Sequence, residues 1–102
     1  MNNPHFSLSE SDVKTVLLCL ELLPDYGFIA PDTADASFML SASAGQKLIM
    51  NERLNNREAG IVSLAVDSAY KALRGEITVN PSTVEKLRPY FFSINKLRPV
   101  FS

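Results

Sequence analysis

Residues 57–74, REAGIVSLAVDSAYKALR, predict the helix around which the rest of the chain packs. Apolar residues recur in this stretch at steps of three and four, which places them on one face of a helix. That face is wide, so we expect it to contact more than one neighbouring helix. Asn55 can cap the start of the helix, with Glu58 three positions later to complete a capping box. Gly75 stands where a residue in the left-handed conformation would end it.

The first half of the chain predicts two further helices. Residues 1–7 are expected to form a flexible arm, after which Ser9 begins a helix that ends at Pro24. Either Asp32 or Thr33 can cap the second helix, because both side chains accept hydrogen bonds from free backbone N–H groups.

Residues 37–43 leave two structures open. Phe38, Ala42 and Ile49 share one helical face, whereas residues 37–43 alternate enough to suggest a strand. We favour the helix because the apolar period continues beyond this segment and turn signals do not flank it. A break near Gly45 remains an alternative.

The last helix is predicted to begin at Asn80-Pro81, where asparagine caps and proline suits the first helical position. Its apolar register runs straight through Pro89, and an interior proline kinks a helix. The sequence therefore predicts an all-α fold: a compact bundle of four main helices with short loops, the last kinked at Pro89, in a single domain of residues 1–102.

Composition excludes several classes of protein. The chain has 102 residues, 46% hydrophobic and 21% charged, which is ordinary for a soluble domain. No apolar run approaches the ~20 residues of a membrane span, and no secretory signal is visible, so we expect a cytoplasmic location without membrane contact. One cysteine, Cys19, and one histidine, His5, give no ligand spacing. We expect no metal, no cofactor and no enzymatic activity.

The charges are unevenly distributed along the chain. Residues 1–50 hold six acidic and two basic side chains, whereas residues 51–102 hold five acidic and eight basic ones. The two halves can attract each other within one fold, or the second half can present a basic face to an acidic partner.

Three short motifs suggest a DNA-binding alternative: AGI at residues 59–61, LRG at 73–75 and VNPST at 79–83. This segment, about a third of the chain, is similar to the helix-turn-helix headpiece of lactose-repressor-type proteins. The spacing from Gly60 to Gly75 is, however, about one helical turn longer than in the pattern of that family. The resemblance implies a regulator that reads DNA with the helix of residues 57–74. Its contacts would be Arg57, Ser68, Lys71 and Arg74.

Protein–protein interaction is the function that the sequence favours most. Four amphipathic helices leave little interior for the apolar residues near the C-terminus, and exposed apolar groups beside charges are typical of a docking face. We therefore expect a non-catalytic interaction or regulatory module, most simply a homodimer, with a small-ligand-binding or enzymatic helical domain as a further alternative. The partner-binding residues would be Arg88, Tyr90, Phe92, Arg98 and Phe101.

Overall fold

The structure is a computed structural model that describes residues 8–26 and 34–101, with side chains in the second helix described from residue 38 onward. The predicted arm at residues 1–7 and the predicted caps Asp32 and Thr33 lie outside the described residues. The helices are α1 (Glu10–Glu21), α2 (Ala34–Ile49), α3 (Asn56–Leu73), α4 (Pro81–Leu87) and α5 (Phe91–Phe101), with 3-10 turns at Leu23–Tyr26 and Arg88–Tyr90.

The central helix is confirmed with its predicted ends. The Asn55 side chain accepts a hydrogen bond from the backbone N–H of Glu58, and the Glu58 carboxylate accepts one from the backbone N–H of Asn55. Gly75 follows the helix with a φ of 75°, a conformation that glycine adopts without steric cost. α3 packs against α1, α2 and α5, so its wide apolar face has the several neighbours that the sequence predicted.

The other helix starts also follow local signals. Ser9 caps α1 by accepting a hydrogen bond from the backbone N–H of Asp12 at 3.1 Å. Asn80 caps α4 by accepting one from the backbone N–H of Ser82 at 3.0 Å, and Pro81 occupies the first turn. Side chains of this kind satisfy N–H groups that have no partner within the helix.

Residues 37–43 are helical, and α2 continues without a break through Gly45. A Cβ added at Gly45 would lie 2.9 Å from Cδ2 of Leu17, so glycine lets α1 approach the α2 backbone here. α2 buries Ala44 and Leu48. Its other apolar face, which carries Phe38, points outward.

The kink at Pro89 is confirmed. α4 ends at Leu87, a 3-10 turn covers Arg88–Tyr90, and α5 begins at Phe91. Because proline has no N–H to donate, the turn around it replaces a regular helical bond. In the described ranges, 8–26 and 34–101, the chain forms helices and no strand, so the all-α class with four main helices is confirmed when α4 and α5 are taken as one bent unit.

Polar contacts connect segments that are far apart in the sequence. The Lys96 ammonium lies 2.9 Å from the Asp12 carboxylate, which joins α5 to α1. The Thr83 hydroxyl donates to Asp25 at 2.9 Å and joins α4 to the turn after α1. Both bonds connect the first half of the chain with the second, and the Lys96–Asp12 pair is an attraction between the acidic and basic halves.

Two residues predicted to be exposed contacts are buried. Phe101 is 6% exposed, because α5 extends to this residue and places it on the same face as Ile94 and Leu97. Ser68 is 1% exposed, because it lies on the side of α3 that also buries Ala65. Neither side chain presents itself to a partner, so both are corrected as contact residues.

Among the described residues, no helix combines the length and apolar character needed to cross a membrane.

Candidate interaction surfaces

An apolar surface remains exposed near the C-terminus. We call it the C-terminal face and define it by Arg88, Tyr90, Phe92 and Val100, all of which are exposed. Phe92 is 92% exposed, the largest exposed fraction among the large apolar side chains that the structure describes. Phe92 and Val100 are eight residues apart, which places them on the same side of α5. Arg88 adds a cation, paired at 3.1 Å with the exposed Glu85.

Arg98, also predicted to bind a partner, is instead held within the chain. Its guanidinium lies 2.9 Å from the Asp67 carboxylate and 3.8 Å from the ring centre of Tyr70. Desolvation alone would raise the pKa of Asp67, but hydrogen bonds and charges from Lys71 and Arg98 outweigh it and lower the pKa. Arg98 therefore joins α5 to α3 and supports the C-terminal face from behind.

Tyr70 is the point at which the two predicted sites meet. Arg74 donates to the Tyr70 hydroxyl at 2.9 Å. The Tyr70 ring packs against Phe91 with 6.2 Å between ring centres, and Phe91 stacks on Phe92 at the same distance. The aromatic contacts therefore connect α3 to the start of α5, next to the exposed ring of Phe92.

The residues predicted to contact DNA do not form an exposed row. Arg57 and Arg74 are exposed at opposite ends of α3. Lys71 pairs with Asp67 at 3.0 Å, and Ser68 is buried. A recognition helix needs one continuous exposed face to enter the major groove, whereas α3 gives most of its surface to three neighbouring helices.

Glu58 forms the most buried polar contact described between α2 and α3. Its side chain is 2% exposed, lies 2.8 Å from the Lys47 ammonium and accepts a hydrogen bond from the Ser43 hydroxyl. Burial raises the pKa of Glu58, but the hydrogen bonds from Asn55, Lys47 and Ser43 and the charge of Lys47 together lower it. This carboxylate is therefore ionised at neutral pH and fixes α2 on α3.

Two further titratable groups lie in the core. Burial raises the pKa of Cys19 to about 12, against a smaller opposing effect of its backbone hydrogen bond. Burial also raises the pKa of Tyr26, and the nearby Cys19 and Asp25 raise it further. A thiol that stays protonated is a poor nucleophile, so the buried Cys19 is not suited to nucleophilic catalysis.

Cys19 is expected to react with Ellman's reagent only when the native protein opens. Its rate should be at least about 1,000-fold below that of an exposed thiol, because opened states are rarely populated. Stopped-flow absorbance on the native protein, with Ser11→Cys as the exposed-thiol control, measures the ratio. Equal rates for the two thiols would show that Cys19 is accessible.

A second apolar surface lies on α2 and was not predicted as a site. A groove of about 820 Å³ runs between α1 and α2 and is lined mainly by apolar side chains, Leu17 and Leu20 from α1 among them. Along its edge, α2 leaves Phe38, Met39 and Ile49 exposed. The sequence does carry a signal, since large apolar pairs flank the small residues 41–45, but the pattern is equally typical of a buried helix.

Neither a metal site among the described residues nor a related protein assigns a function to these surfaces. In the part of the chain that the structure describes, no group of three or more His, Cys, Asp or Glu side chains is arranged to hold a metal ion. Comparison of the chain with protein-family profiles, curated proteins and solved structures finds no match. The two exposed apolar surfaces, the C-terminal face and the outer side of α2, are therefore the features that bear on function.

Proposed function

We propose that the chain is a small non-catalytic interaction module that binds a protein partner through the C-terminal face. The observation that carries this proposal is Phe92, an aromatic side chain that is 92% exposed and stacked on Phe91. Exposing a large aromatic ring to water is unfavourable, and aromatic residues with arginine are enriched where proteins bind one another.

The charges around the face indicate the chemistry of the partner. Arg88 and Lys86 are exposed cations close in sequence to the face, and Arg88 pairs with the exposed Glu85. The complementary surface is an apolar pocket that receives Phe92 and is bordered by carboxylates. Binding through such a rim accelerates association and weakens as salt screens the charges.

The titratable groups support a non-catalytic role. Cys19 is buried with a raised pKa, and Glu58 and Asp67 are held ionised by cations. Acid–base catalysis favours groups whose pKa lies near the working pH. The surroundings of these three groups shift each pKa away from neutral pH. A buried reduced thiol also suits the cytoplasmic location that we propose.

The proposal is tested by quantitative affinity capture from lysate with wild type, with Tyr90→Ala combined with Phe92→Ala, and with Leu64→Ala, an exposed residue outside both apolar surfaces, as a control. Proteins that bind wild type and the control, and are lost with the double variant, identify partners of the C-terminal face. All three proteins should have the same circular dichroism spectrum, since each substitution is at an exposed position. If every captured protein binds the double variant as well as wild type, the C-terminal face is not the binding surface.

The DNA-binding alternative makes the opposite prediction. A regulator that uses α3 would bind random duplex DNA at low salt and lose that affinity in Lys71→Glu combined with Arg74→Glu. The interaction module should show no salt-dependent DNA binding, and its captured partners should be unchanged by that pair of substitutions.

A further inference from the structure

The exposed side of α2 has a composition that suits a copy of itself. We call it the α2 stripe and define it by five exposed residues of the helix and the residue that follows it: Phe38, Met39, Ala42, Gln46, Ile49 and Met50. We propose that two copies of the chain form a homodimer in which their α2 helices pack antiparallel through this stripe. The inference uses a surface separate from the C-terminal face and stands whether or not that face binds a partner.

The first argument is the symmetry of the stripe. Its positions are related by reversal about residue 44: Phe38 corresponds to Met50, Met39 to Ile49, and Ala42 to Gln46. A two-fold axis through the middle of two antiparallel helices places each residue opposite the one related to it by this reversal. The stripe therefore sets large apolar side chains opposite large apolar side chains at both ends, as a self-complementary interface requires.

The second argument is the amount of apolar surface that the stripe leaves in water. Phe38, Met39, Ile49 and Met50 are 74%, 70%, 65% and 60% exposed. Together they expose roughly 500 Å² per copy, against the roughly 800 Å² that each partner contributes to a stable interface. The half-buried Leu17 of α1, which lines the adjoining groove, adds to this apolar surface.

The third argument is charge and shape at the centre. Across residues 38–49 of α2 the one charged side chain is Lys47, and it is bound to Glu58 of α3 at 2.8 Å. Two copies therefore meet without like charges opposing each other across the stripe. Phe38, Ala42, Gln46 and Met50 form a ridge at four-residue steps, and such ridges pack into the grooves of a facing helix. The small side chain of Ala42 permits the close approach at the crossing.

Light scattering and sedimentation equilibrium test the dimer with paired charge substitutions. Wild type should have twice the monomer mass of 11.3 kDa. Met39→Glu combined with Ile49→Glu brings carboxylates together across the axis and should raise the dissociation constant at least roughly 100-fold. Met39→Lys combined with Ile49→Glu changes the same positions but opposes unlike charges, so it should recover most of the affinity. Phe92→Glu, on the C-terminal face, should remain dimeric.

A disulfide experiment tests the antiparallel register. In Met39→Cys combined with Ile49→Cys, oxidation should link position 39 of one copy to position 49 of the other. The two positions lie about 15 Å apart along a single helix, too far for a bond within one chain. Peptide mapping that finds links between 39 and 39, and between 49 and 49, would overturn the antiparallel arrangement. A wild type that stays monomeric at every concentration, or a dimer dissociated by Phe92→Glu and not by the α2 charges, would overturn the interface itself.

Discussion

Glu58→Gln is expected to lower the free energy of unfolding at pH 7 by about 2–3 kcal/mol. The substitution keeps the shape of the side chain and an oxygen that accepts from the Asn55 backbone, but it removes the negative charge that Lys47 and Ser43 both face. The Lys47 ammonium then has a neutral oxygen in place of its anionic partner, and the amide places N–H donors toward the Ser43 hydroxyl, in a site built for an acceptor. Urea denaturation followed by circular dichroism measures the loss.

Glu85→Gln is the matched control for this prediction. Glu85 also pairs with a cation, Arg88, at 3.1 Å, but both side chains are exposed. Exposed pairs of this kind contribute little, so the control should change the free energy of unfolding by no more than about 0.5 kcal/mol. If Glu85→Gln and Glu58→Gln cost the same, burial of the Glu58 contact is not what makes it stabilising.

The pH dependence gives the Glu58 prediction a second readout. Because the pKa of Glu58 is lowered in the folded state, its ionised form stabilises the fold fully above the unfolded pKa of about 4.3. That contribution is lost as the pH falls through the lower folded pKa. The difference between wild type and Glu58→Gln should therefore shrink below about pH 4. A difference that stays constant from neutral to strongly acidic pH would mean that the charge is not its source.

Phe101→Ala is expected to lower the free energy of unfolding by about 3–4 kcal/mol, whereas Phe92→Ala should change it by less than about 0.5 kcal/mol. The two phenylalanines lie on the same helix, but Phe101 is buried and Phe92 faces solvent. The melting temperature of Phe101→Ala should fall by roughly 10–20 °C. Differential scanning calorimetry on both variants measures the contrast, and similar melting temperatures would mean that Phe101 does not belong to the core.

The sequence predicted most of the fold because the decisive signals are local. The capping box of Asn55 and Glu58, the Asn80-Pro81 start and the left-handed Gly75 each depend on residues within one turn of a helix end. The kink at Pro89 follows from the chemistry of one residue. Signals of this range are complete in the sequence, which is why these helix ends agree with the structure, whereas α1 ends at Glu21, before the predicted Pro24.

The candidate surfaces could be predicted only in part, because burial depends on neighbours that are distant in the sequence. The two segments KLRPYF and KLRPVF, at residues 86–91 and 96–101, look alike. The first contains the 3-10 turn, whereas the second continues as α-helix to Phe101. The helical phase therefore decides that Phe101 packs inward, and that phase depends on how α5 packs on α3. Arg98 and Asp67 are separated by 31 residues in the sequence, so their hydrogen bond is likewise visible only in the folded structure.

The exposed side of α2 is a second surface that the sequence could not predict. α2 is apolar around much of its circumference, so the pattern alone does not say which face the core takes. The structure assigns Ala44 and Leu48 to the core and leaves Phe38 outside. The sequence therefore indicates a dimer surface at the C-terminus but does not reveal the exposed apolar surface on α2.

The packing of α5 on α3 has a consequence for the order in which the ribosome makes the chain. α1, α2 and α3 are complete while residues 74–101 still await synthesis, and those 28 residues take roughly 1–6 s to translate. While those residues are made, α3 still lies inside the ribosomal exit tunnel, so the side of α3 that α5 covers meets water only if translation stops before α5. A nascent chain that stops after α3, joined to a linker long enough to carry α3 out of the tunnel, should therefore recruit a chaperone that binds apolar segments, whereas a chain that includes α5 should not.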